Sequence, residues 1–118
     1  MSAGWFADIM ITHTLLYSFP TAMSQSDRNQ FFREVGRIML GTAHAATFER
    51  WPHLPLPADA HAPVFAATDV LQVGFPHLDT LAAASALPAM HQFMARWQER
   101  FPYQVVWVNH EPIDELAA

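Results

Sequence analysis

Apolar and polar positions along the chain fall into a strand–helix unit that occurs twice. The first unit opens with IMITHTLLYSF (9–19), a β-rich run closed by Pro20, which predicts a strand. SQSDRNQFFREVGRIML follows, where Phe31, Phe32, Val35, Ile38 and Met39 recur at the spacing of one helix face. Ser24 or Ser26 suits the N-cap, Asp27 the first turn and Gly41 the C-cap. The second unit has a strand over 66–75, stopped by Pro76, and then HLDTLAAASALPAMHQFMARWQERF. Pro88 cannot continue a helix without losing a hydrogen bond and clashing with the turn before it, but it suits the first turn of a new one. The pattern therefore predicts a short helix at 78–86 and a longer one at 88–100, with Phe93, Met94, Trp97 and Phe101 as its stripe. A last strand covers 103–111. AHAATFER (43–50) is taken as the remaining strand, with weak alternation, and the four prolines of WPHLPLPADAHAPV make 51–64 a loop.

Two such units in one short chain predict an α+β fold, a βαββαβ sandwich with one sheet and two helices on one face. At 118 residues the chain is expected to be a single domain, 1–118. Hydrophobic residues make up 52% and charged residues 14%, against about 25% charged in a typical domain. So apolar a chain of this size is expected to bury surface in a homodimer. The formal charge of −5 and the scattered arginines argue against nucleic acid. There is no Cys and no Lys, which removes thiolate, disulfide and Schiff-base chemistry. The first residues lack a basic region and a small-residue cleavage site, so a signal peptide is not expected. No apolar run approaches the roughly 20 residues of a membrane span, and the cytoplasm is the default location.

Alternation places three polar residues on apolar strand faces. His13 shares a face with Leu15 and Tyr17, Asp69 with Leu71, Val73 and Phe75, and Asn109 with Trp107 and Val105. With strand order 4-1-3-2, strands 1 and 3 taken as parallel and strand 4 as opposite, all three gather at one end of the sheet. They would close an apolar pocket with Tyr17 and Trp107 deeper on its wall. A neutral imidazole there can take a proton, and a carboxylate or carboxamide can fix its tautomer. The same cluster could instead be a satisfied polar group that only fixes packing. A zinc site from His53, His61 and Asp59 matches no ligand spacing, so no metal is expected. Nucleotide phosphate cradling is not expected either, because the chain has only four glycines and no Gly-rich phosphate loop.

ITHTLLYSF resembles the first strand of the stress-responsive dimeric α/β-barrel (Dabb) proteins. VGFPHLDTLAAASALPAMHQFMARWQERFPYQVVWVNHEP resembles the second half of Dabb and EthD-like proteins. The resemblance implies a ferredoxin-like fold with a four-stranded antiparallel sheet, paired into a dimeric α+β barrel. It implies a cleft for small hydrophobic or aromatic molecules, used by some members as cofactor-free cyclases, isomerases or monooxygenases. By position His13 matches the strand 1 His of cyclase-type members, and Asn109 falls where they carry a last-strand Asp. Those members have His-Pro-Ala-His at the helix break; this chain has Leu87-Pro88-Ala89-Met90, with His91 one position later.

Two functions are therefore carried forward. One is a small cofactor-free enzyme acting on an apolar or aromatic oxygenated molecule. His13 would be its base and Asp69 or Asn109 would orient it, with Tyr17, Leu71, Val73, Phe75, Met90, His91 and Trp107 around the ligand. The other is a non-catalytic ligand-binding or dimeric interaction module.

Overall fold

A computed structural model describes residues 10–112. Trp5 and Phe6, which the sequence leads one to expect docked on the domain, and the tail from Ile113, expected as a polar end or short arm, lie outside them. The elements are β1 (Ile11–Ser18), α1 (Gln25–Leu40), β2 (Thr47–Pro52), β3 (Asp69–Phe75), α2 (Leu78–Ser85), α3 (Pro88–Arg100) and β4 (Gln104–His110). Ser24 caps α1 by accepting from the Asp27 N–H at 3.1 Å, and the Gly41 N–H closes it on the Arg37 carbonyl. The second helical stretch breaks at Pro88, which opens α3.

The sheet order is β2-β3-β1-β4, and every neighbouring pair is antiparallel. The order is the expected one, but the direction of strand 3 is not. β1 and β3 run opposite, with Ile11 facing Phe75 and Tyr17 facing Asp69. The physical reason is the split crossover. α1 carries the chain back so that β2 runs parallel to β1, and β3 then turns back between them. β2 also lies later than the expected 43–50 and includes Trp51 and Pro52. As an edge strand it tolerates a proline that a central strand would not.

The helices lie on one face, and their stripes meet the inner face of the sheet. Phe31, Phe32, Val35 and Met39 of α1 and Phe93 and Trp97 of α3 are buried with Leu15, Tyr17, Phe19, Leu71, Val73 and Phe75. The centre is aromatic. The Phe31 ring lies 5.1 Å from Phe19, 4.8 Å from Phe93 and 5.6 Å from Trp97. Tyr17 stacks on Phe19 at 5.1 Å. Gly74 allows β2 to close on β3, since a Cβ there would meet the Thr47 hydroxyl that its own N–H donates to.

No helix among the described residues lies over the opposite sheet face. Leu16, Trp51, Val106 and Val108 stand there, each more than a third exposed. No helix among the described residues is long and apolar enough to cross a membrane.

The Pro-rich connection leaves β2 and forms a short 3-10 turn, Pro57–His61. His53 bonds Asp59 at 2.7 Å, and the Leu56 N–H donates to the same carboxylate at 2.9 Å. These bonds, His53 first, hold the Asp59 carboxyl below its ordinary range. Leu54, Leu56 and Val64 point to solvent and add nothing to the core. Replacing 54–64 with a short Gly/Ser linker is therefore expected to leave one cooperative thermal transition with Tm changed by only a few degrees. A chain that melts without cooperativity would show that the loop is part of the folding unit.

Candidate functional site

Antiparallel pairing of β1 and β4 sets His13 opposite Asn109, Leu15 opposite Trp107 and Tyr17 opposite Val105. All six side chains share the inner face. His13 Nδ1 and Asn109 Oδ1 are 2.5 Å apart. An amide oxygen only accepts, so Nδ1 carries the proton and Nε2 keeps its lone pair. Burial lowers the His13 pKa from its ordinary 6.5, and the Asn109 bond partly opposes that. The imidazole is therefore neutral at pH 7. The Trp107 ring lies 6.2 Å from it, tilted by 56°.

These residues line a cavity of about 250 Å³ between β1, β4 and the helices, room for roughly eight waters. Its physical origin is a change of side-chain size. Large rings fill the sandwich at the Phe19 end, whereas α1 and α2 offer Val35, Leu81, Ala84 and Ser85 over the other end. Three thioethers, Met39, Met90 and Met94, complete much of the wall, and they adapt readily to a ligand's shape. Trp107 is 61% exposed and belongs to the rim, while Tyr17 is 5% exposed and lies deep. Burial, with Tyr103 adding to it, raises the Tyr17 pKa strongly, and Tyr103 is raised by burial too. Both hydroxyls stay protonated.

Five of the residues singled out in the sequence meet at this cavity: His13, Asn109, Tyr17, Met90 and Trp107. Asp69 does not. With β3 reversed, it faces Tyr17 at the other end of β1, and the β3 residue opposite His13 is Val73. Asp69 instead forms an ion pair with Arg50, with Oδ2 2.9 Å from Nη2 and 3.0 Å from Nε. Leu71, Val73 and Phe75 share its face but are sealed in the core, and they do not line this cavity. His91 is exposed, and its Nε2 donates to the Ser85 carbonyl at 2.9 Å, tying α3 to the end of α2. One residue's displacement along α3 turned it away from the cavity that Met90 faces.

The sequence reading missed the wall from α1 and α2, where Ala84 and Ser85 looked featureless. Alternation put Val105 and Tyr103 on the face of Asn109, but the reading did not carry either to the ligand wall. Finding Ala84 needed the α2 position over the sheet. A second concavity, broad and open, runs between α1 and β2 and carries Arg33, Arg37 and Arg50 over Phe32 and Phe48, with no base among its lining. No group of three or more His, Asp or Glu among the described residues is placed to hold a metal ion.

No family model matches the chain, and no curated protein sequence does. Solved structures do match. The chain superimposes on a hydroxynitrile lyase from Passiflora edulis with TM-score 0.70 and 16% identity, over 91% of this chain and 95% of that one. It matches a Dabb family protein of Mesorhizobium loti with a ferredoxin-like fold at TM-score 0.66 and 15% identity, over 91% and 100%. A dimeric ferredoxin-like protein of unknown function from Thermobifida fusca gives 0.64 and 12%, over 88% and 92%. At these identities the likeness is one of fold. The chain has a ferredoxin-like fold, the fold that its resemblance to Dabb proteins implied.

Proposed function

We propose that the protein is a cofactor-free enzyme that moves a proton on a small aromatic or apolar oxygenated molecule, with His13 as the base. The observation that carries this is the His13–Asn109 bond at the end of an apolar cavity. It fixes the tautomer with Nε2 free, and burial keeps the ring neutral. Nε2 would take a proton from a hydroxyl, or from a carbon beside a carbonyl, and return it to the product. The hydroxynitrile lyase among the proteins of this fold makes an aromatic cyanohydrin a reasonable first substrate to test.

A non-catalytic ligand-binding role is the second reading. It is favoured by Met90, a thioether that cannot transfer a proton, at the helix break where cyclase-type members carry a His. Long-range ¹H–¹⁵N spectra of His13 at pH 7, with assays of mandelonitrile cleavage and of α-proton exchange in α-tetralone, test the proposal. The expected result is an Nδ1-protonated ring and turnover that His13→Ala removes. An Nε2-protonated ring would sink the base role, and ligand binding without turnover would support the second reading.

The enzyme is further proposed to be a homodimer that pairs the uncovered sheet faces. Leu16, Val106, Val108 and Trp51 are a continuous apolar surface that one layer of helices cannot cover, and the Thermobifida fusca protein of this fold is dimeric. Val106→Glu with Val108→Glu is expected to give monomers by light scattering at micromolar concentration. A wild-type chain that runs as a monomer near 13.3 kDa would end the claim.

A further inference from the structure

The deep end of the cavity holds a polar group that the base chemistry does not use. Tyr17 lies four residues along β1 from His13, about 13 Å between Cα atoms in an extended strand. Its ring is fixed by stacking on Phe19 and by edge contacts with Phe31 and Phe32, at 5.4 and 5.6 Å. Such a ring cannot swing to find a partner. Its hydroxyl has no hydrogen-bond partner among the described residues, yet it is not among the sealed polar atoms. With only 5% of the residue exposed, the surface that remains to it is cavity wall. A buried hydroxyl left unpaired costs free energy that a bound oxygen would recover. Burial also keeps it protonated, so it can donate.

Resting on the reading of this cavity as a small-molecule site, we propose that it takes a flat aromatic ligand oxygenated at both ends. One oxygen function lies at His13, and the other accepts a hydrogen bond from Tyr17. Leu15, Met90 and Phe93 line the stretch between. At about 250 Å³ the space is small for a ligand site. A molecule that reaches both ends must be slender, and the aromatic and thioether walls favour a planar ring system. Tyr17 is then a specificity residue: it selects ligands that present an oxygen to the deep end.

The test is a matched pair of probes, 2-naphthol and 2,6-dihydroxynaphthalene, which differ only in an oxygen at the far end. Binding is measured by calorimetry to the wild-type protein, Tyr17→Phe and Leu15→Phe. The wild type is expected to prefer the dihydroxy probe by about five- to tenfold, the worth of one hydrogen bond. Tyr17→Phe keeps the ring stack and removes only the hydroxyl. It should bring the preference for the dihydroxy probe to about one. Leu15→Phe narrows the cavity and should weaken both probes together. If 2-naphthol binds and Tyr17→Phe leaves the preference intact, or the wild type shows none, the Tyr17 assignment is overturned while the cavity reading stands. If neither probe binds, both fall.

Discussion

Replacing Arg50 by methionine is expected to destabilise the fold by about 3–5 kcal/mol, the usual cost of stripping one partner from a buried ion pair. Asp69 is 1% exposed, and its Oδ1 already has no partner among the described residues. Arg50 supplies both bonds to Oδ2, donates to Asn29 Oδ1 at 2.7 Å, and lies 4.4 Å above the Phe32 ring. One guanidinium thus joins β2, β3 and α1. Methionine keeps the apolar stem but leaves a carboxylate in the core with no counter-charge. The double variant Arg50→Met, Asp69→Val removes the stranded charge and places a β-branched residue in a strand. It should recover at least half of the loss. Urea melts of the three chains decide the matter. A single variant within 1 kcal/mol of wild type would mean that water reaches Asp69, and a double variant no better than the single would mean that packing, not charge, sets the cost.

That pair also marks where sequence reasoning ran out. Alternation put Asp69, His13 and Asn109 on the inner face, correctly, and the opposite direction of β4 brought His13 and Asn109 together. Alternation fixes which face a residue occupies but says nothing of which end. The end depends on strand direction, and taking β1 and β3 as parallel moved Asp69 the length of a strand. An antiparallel sheet of order 4-1-3-2 leaves no parallel neighbours, so the expected sheet itself contained the correction. Pro88 was legible because proline acts locally on the helix it opens. Pro52 misled because its tolerance depends on being at a sheet edge, which no local pattern reveals. The cavity was half legible. Its polar end follows from β1 and β4, but its volume comes from small residues of α2 lying over the sheet, a tertiary fact. The sealed positions of Leu71, Val73 and Phe75 have the same origin, since the single helix layer closes over β3.

The largest functional effect is expected at His13, and its pH dependence separates a base from a packing residue. A base must be neutral to accept a proton, so activity is present above the His13 pKa and is lost as pH falls through it. Burial lowers that pKa, so the acid limb of the wild-type profile should lie below 6.5. His13→Ala should reduce turnover by about 10²- to 10⁴-fold, the range of general-base contributions, and abolish the limb. Asn109 acts in two ways. Its bond raises the His13 pKa against burial, and it holds the ring. Asn109→Ala should therefore move the limb to still lower pH while lowering the plateau, whereas Asn109→Asp sets a carboxylate beside the imidazole and should move it upward. Stability must follow the same titration. Between the lowered folded value and 6.5 the unfolded chain binds more protons at this site, so stability rises with pH across that window. His13→Ala should flatten that part of the slope. NMR titration of the His13 ring in wild type and both Asn109 variants gives the order directly, without a substrate. A wild-type ring that titrates above 6.5, or an Asn109→Ala ring that titrates higher than wild type, would show that the bond and the burial do not tune this imidazole as a base.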